Sequence, residues 1–128
     1  KIKVVLLEPG KLARTAEIGT SIEDLQNAVD GLIEPFYPFE EQVCIVCNDE
    51  GKINGMLPNR SVKNKDGVMV DFIFGPAFIC DCRGESFDSL SDEQIARYTK
   101  MFRYPEHLAR LNGKLIGIPF NPQREHER

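Results

Sequence analysis

Val43-Cys44-Ile45-Val46-Cys47-Asn48-Asp49-Glu50-Gly51, continued by Gly55-Met56-Leu57-Pro58-Asn59-Arg60, is the stretch that decides the fold. Val43 to Cys47 is an uninterrupted apolar run with β-branched residues, which reads as a buried strand. Asn48-Asp49-Glu50-Gly51 is a turn. The return segment ends in Pro58-Asn59-Arg60, so the pattern predicts a hairpin that carries an amide and a guanidinium at the end of a stiff loop. Arg presents a planar fork suited to carboxylate or phosphate. Asn59 and Arg60 are therefore candidate binding residues; the structural alternative is an Asx-turn at Asn59 and an ion pair between Arg60 and a local acid such as Asp71.

Working outward, Ile2 to Leu7 predicts a first strand, closed by the turn Glu8-Pro9-Gly10. Lys11 to Ile18 predicts a half-polar return strand. Ile22, Leu25, Ala28, Val29 and Leu32 recur at helical spacing behind a cap at Thr20 or Ser21, with Gly31 as the stop. Ile33 to Phe39 holds two prolines and predicts an edge strand or extended segment. Its aromatics, Tyr37 and Phe39 among them, either cover the core or form one wall of a binding surface. Ser61 to Gly67 predicts a polar loop or hairpin turning at Asp66-Gly67. Val68 to Phe74 and Ala77 to Cys82 predict strands joined through Gly75-Pro76. Ser91-Asp92-Glu93-Gln94 is a capping box opening a helix that runs to Phe102, with Ile95, Tyr98 and Phe102 as its buried stripe. Pro105 predicts a further short helix over Glu106 to Leu111, stopped by Asn112-Gly113, then a strand-like Lys114 to Ile118. Residues 121–128 predict a charged, disordered tail.

These elements make an α+β fold: a mixed, mostly antiparallel sheet of five to six strands with two principal helices. Residues 1–103 form one domain and 104–128 a C-terminal extension. With 41% hydrophobic and 28% charged residues the composition is that of an ordinary globular protein. No run of about 18 apolar residues is present, so no membrane partner is expected. The opening residues are too short and too soon broken for a signal peptide, and a cytoplasmic location is the default expectation.

The net charge of −4 argues against nucleic-acid binding. It is uneven: residues 1–93 carry 9 Lys and Arg against 17 Asp and Glu, and residues 94–128 carry 7 against 3. Cys44, Cys47, Cys80 and Cys82 lack the tight turn of a zinc knuckle. Cys44 and Cys47 point to opposite faces of a strand. They read as buried small hydrophobes rather than as a metal site or a redox pair, and no metal or cofactor is expected. Arg97, Lys100 and Arg103 line one helix face, either solvated or meeting an acidic partner. His107 and His126 have no triad or metal partners in sequence, and no phosphate loop, dinucleotide fingerprint or nucleophile elbow occurs. No catalytic residue is assigned.

The order of these pieces resembles a bacterial and phage family, domain of unknown function 3846. The matching residues are Val4-Val5-Leu6-Leu7-Glu8-Pro9-Gly10, Tyr37-Pro38-Phe39, Val46 to Lys52, Leu57-Pro58-Asn59-Arg60, Asp71 to Phe78, and Phe87 to Ile95. The resemblance covers about residues 2–102. It implies a home on phages, plasmids or conjugative elements and implies no activity. The expected function is a non-enzymatic binding module for a protein or a small anionic ligand, through Asn59, Arg60, Tyr37 and Phe39. The alternatives are a small hydrolase or nucleotide-processing enzyme using Asp49, Glu50 or Asp71 near Arg60, and a homodimer joined through Pro35–Phe39 or Leu115–Ile118.

Overall fold

β1, β4 and β7 each hold four or more consecutive apolar residues rather than alternate ones, and the fold explains why: their sheet is covered on both faces. The computed structural model describes residues 1–125. The elements run β1 (Ile2–Leu7), β2 (Arg14–Ile18), α1 (Ile22–Val29), β3 (Ile33–Phe36), β4 (Val43–Asn48), β5 (Pro58–Lys63), β6 (Met69–Phe74), β7 (Ala77–Asp81), α2 (Asp92–Met101), β8 (Glu106–Leu111), β9 (Lys114–Pro119) and α3 (Pro122–Glu125). The main sheet has five strands in the order β2-β1-β7-β4-β3, and each neighbouring pair is antiparallel. Every residue of the central strand β7 is buried.

On one face, Leu25 and Val29 of α1 pack on Val4, Leu6, Cys44, Val46, Phe78 and Cys80. On the other, Val5, Leu7, Ile45 and Ile79 meet Val62 and Ile73 from β5 and β6, and Tyr98 and Phe102 at the end of α2. The protein is thus α+β, with two substantial helices on opposite faces of an antiparallel sheet.

Caps fix both helices in place. Ser21 Oγ accepts from Asp24 N at the start of α1. Ser91 and Gln94 form the reciprocal box that opens α2. At the C-terminal end of α1 the left-handed residue is Asp30 (φ 58°), one position before the glycine that the sequence suggested. Asn48 Nδ2 donates to the carbonyls of Val29 and Asp30, so the end of β4 satisfies orphan acceptors of α1.

Three expectations are corrected. The return segment after Gly51 does not pair with β4. It becomes β5, which pairs with β6 in a separate two-stranded ribbon, because both edges of β4 are already taken by β3 and β7. The segment Glu106 to Leu111 is a strand, not a helix. It pairs with β9 through six register positions around Asn112-Gly113, whose φ values of 51° and 81° give the two-residue turn that suits hairpin twist. Lastly, part of the expected disordered tail is ordered. Asn121 Oδ1 accepts from Gln123 N and opens the single turn α3, while residues 126–128 of that tail, His126 included, lie outside the described residues. The β8–β9 hairpin follows the body of the domain and covers the ribbon, with Gly117 against the Phe72 ring. No helix among the described residues is long and apolar enough to cross a membrane.

Gly113→Ala tests the turn. An L-residue in the left-handed region costs about 1 kcal/mol, so amide exchange across β8 and β9 is expected to quicken roughly fivefold while β1, β4 and β7 keep their protection.

Candidate functional site

Asn59 and Arg60 do not stand at the end of a loop. Both are fully buried, at 0% exposure. Arg60 Nε donates to the carbonyl of Phe102 at 2.7 Å. Its Nη1 donates to the carbonyl of Glu8 at 3.1 Å and to Asn59 Oδ1 at 2.6 Å. Its Nη2 donates to the carbonyls of Lys11 at 2.6 Å and Arg103 at 3.5 Å. These five bonds use every N–H of the fork. Asn59 Nδ2 is engaged by the carbonyls of Leu7 and Gly75. The expected pairing with Asp71 is also absent: Asp71 takes Lys52 at 2.9 Å. Burial pulls the Arg60 pKa down to about 10, against the favourable fields of Glu106 and Glu8, so the group is charged at neutral pH. Its charge is met by carbonyl dipoles after β1, before β2 and at the exit of α2, and the five bonds leave the fork no donor for a ligand.

The same construction shapes an open cleft. Segment 38–41, β5 with the turn after it, and the last turns of α2 enclose about 850 Å3. Phe39, Tyr98 and Phe102 make its apolar floor. The Phe39 ring stands 4.7 Å from that of Tyr98 and 6.2 Å from that of Phe102, centre to centre. Of the four residues that the sequence singled out, Phe39 lines this cleft; Tyr37 is exposed outside it, and Asn59 and Arg60 lie beneath the surface.

Glu41 and Arg97 form one wall. Glu41 accepts from Gln94 Nε2 at 2.6 Å and pairs with Arg97 Nη1 at 2.8 Å. Burial works to raise its pKa, but hydrogen bonds from Gln94 and Tyr98 and the charge of Arg97 together hold it below the ordinary carboxylate value. Burial, then the hydrogen bond to Glu41, pushes the Tyr98 hydroxyl well above its usual range. At the head of the cleft Glu106 Oε1 accepts from both Ser61 N and Ser61 Oγ. Lys63 lines the side of β5 and makes no ion pair among the described residues. Sequence reasoning took Tyr98 and Phe102 as core and Arg97 as part of a helix face either solvated or meeting an acidic partner. It passed over Glu41, Lys63 and Glu106, whose only sequence signal is charge next to an apolar run.

The acids Asp49, Glu50 and Asp71 converge with Glu34 on a smaller cleft of about 210 Å3, but Arg60 takes no part in it. A shared hydrogen bond with Asp49 raises the Glu34 pKa. Among the described residues no three His, Cys, Asp or Glu side chains are arranged to hold a metal ion. All four cysteines are free thiols. Cys44 and Cys80 face each other across β4 and β7 with sulfurs 3.7 Å apart, while Cys47 packs on the opposite face of the sheet. His107 stacks on Phe120 at 4.0 Å, away from the cleft.

The chain belongs to the family described as Domain of unknown function (DUF3846), whose model matches residues 2–103. No curated protein and no solved structure matches it. The match ends three residues before β8, so the family region holds the Arg60 hub and most of the cleft, and Glu106 enters from beyond it.

Two stability experiments follow from this geometry. Arg60→Met strands buried carbonyls and is expected to cost about 3–5 kcal/mol, read as a large fall in the urea midpoint. Glu41 has a depressed folded pKa, so its contribution is complete above the unfolded value near 4.5 and is lost as pH falls through the lower folded value. Glu41→Gln should therefore flatten the acid limb of the stability–pH curve and leave the alkaline limb alone.

Proposed function

We propose that this protein is a small non-enzymatic binding module that holds an external ligand, a protein segment or a small anionic molecule, in the cleft between β5 and α2. The observation that carries the reading is the cleft itself. Its volume of about 850 Å3 falls in the range that takes ligands, and it joins an aromatic floor to a few convergent polar groups. The rim charges are mostly spent on each other: Arg97 on Glu41 and Lys65 on Glu40. Among the described residues Lys63 is the rim cation without such a partner, and it is the group offered to an anion. Binding residues Asn59 and Arg60 enter this reading as the frame under the floor rather than as contacts. A cytoplasmic setting agrees with four free thiols. Service to a bacterial phage, plasmid or conjugative element rests on the family resemblance.

Anilinonaphthalene sulfonate, an aromatic monoanion, is a suitable probe. The folded chain is expected to bind one equivalent with enhanced fluorescence. Lys63→Ala should weaken binding about threefold to fivefold, as for a solvent-facing ion pair. Met101→Glu, at an exposed position on the rim, should abolish it. Fluorescence that neither substitution alters, in variants with an unchanged urea midpoint, would overturn the reading.

A further inference from the structure

We infer that the occupant of this cleft is a nucleoside monophosphate with an amino group on its base, adenine or cytosine rather than hypoxanthine or uracil. This rests on the cleft reading above and narrows it to a small molecule. The two ion pairs on the rim differ in how firmly they are held. Arg97 is fixed: its partner Glu41 is half-buried and also accepts from Gln94. Lys65 is not. Its pair with Glu40 spans 3.3 Å between side chains each at least 80% exposed, and such a contact adds little stability in water. A ligand with two negative charges takes Lys65 from Glu40. It also meets Lys63, two residues away, which makes no ion pair among the described residues. A phosphate monoester carries close to two charges at neutral pH; a carboxylate carries one and leaves the second lysine unused.

The floor takes the base. The Phe39 ring is tilted 48° from that of Tyr98 and 77° from that of Phe102, so the three form a cup that meets a flat ring with a face and edges. Every nucleobase has a π-face that stacks on such rings. Glu106 at the head of the cleft selects among the bases. Its Oε1 is spent on Ser61 N and Ser61 Oγ, which hold the carboxylate in place. Its Oε2 makes no hydrogen bond or ion pair among the described residues. A carboxylate oxygen only accepts, so it pairs with an amino edge and repels a carbonyl edge. Ser61 and Lys63 are two residues apart, about 7 Å of strand, and the lysine stem adds to that reach. A nucleoside monophosphate spans a similar length from its phosphate to the amino edge of its base.

The test uses the full chain, with anilinonaphthalene sulfonate as the displaced probe. AMP is compared with IMP and CMP with UMP, because each pair exchanges the amino group of the base for a carbonyl. AMP and CMP are expected to displace the dye about tenfold more tightly than IMP and UMP. Lys65→Ala should weaken AMP about fivefold and leave adenosine, which lacks the phosphate, unchanged. Glu106→Gln, whose amide donates as well as accepts, should bring AMP and IMP to similar affinities. If AMP and IMP displace the dye equally well from the unaltered chain, or if no nucleotide displaces it although it binds at the cleft, the nucleotide inference is wrong and the cleft reading stands. If the dye itself fails to bind at the cleft, both fall.

Discussion

One buried guanidinium, that of Arg60, ties β5 to the end of β1, the approach to β2 and the exit of α2. Helix ends and turns carry unsatisfied carbonyls, and burying them without donors is costly. A single arginine answers four such carbonyls at once, and Asn59 beside it answers two more. Residues 52 positions apart in sequence are tied in this way. Among the described residues the charge has no ion-pair partner in contact; it is stabilised by dipoles fixed by the backbone, an arrangement that removing either side would upset.

The second constraint is the two-sided burial of the main sheet. The runs Val4-Val5-Leu6-Leu7 and Val43-Cys44-Ile45-Val46 supply residues to both faces in turn. Neither α1 alone nor α2 with the β5–β6 ribbon could cover them. Cys44 and Cys80 pack in this setting as small apolar groups, and their mutual hydrogen bond together with burial holds the Cys80 thiol protonated.

Much of this was legible in the chain. The capping box at Ser91, the strand at Val43, the edge strand with Pro35 and the turn at Gly75-Pro76 all follow from local chemistry. The failures have physical causes. Glu106 to Leu111 reads as a helix when Asn112-Gly113 is taken as a stop, and as a strand when the same pair is taken as a turn; local propensity is too weak to decide, and pairing with Lys114–Pro119 decides it. Arg60 was misplaced because a charged residue after Pro-Asn looks like a surface turn, and nothing nearby in sequence announces carbonyls that arrive from residues 8, 11, 102 and 103. The cleft was legible only through Phe39, since Glu41, Lys63 and Glu106 become a site when three distant segments meet.

The β8–β9 hairpin lies outside the region shared with the family, yet it contributes one carboxylate to the head of the cleft and shields Phe72. Among the described residues it makes no hydrogen bond to the Arg60 fork, whose last carbonyl partner is Arg103 just before it, but Glu106 adds a favourable field to the guanidinium. The carbonyls that the hub answers, at Glu8, Lys11, Phe102 and Arg103, all lie inside the region shared with the family, so a change in the hairpin alters the charge at the head of the cleft before it alters any bond of the hub.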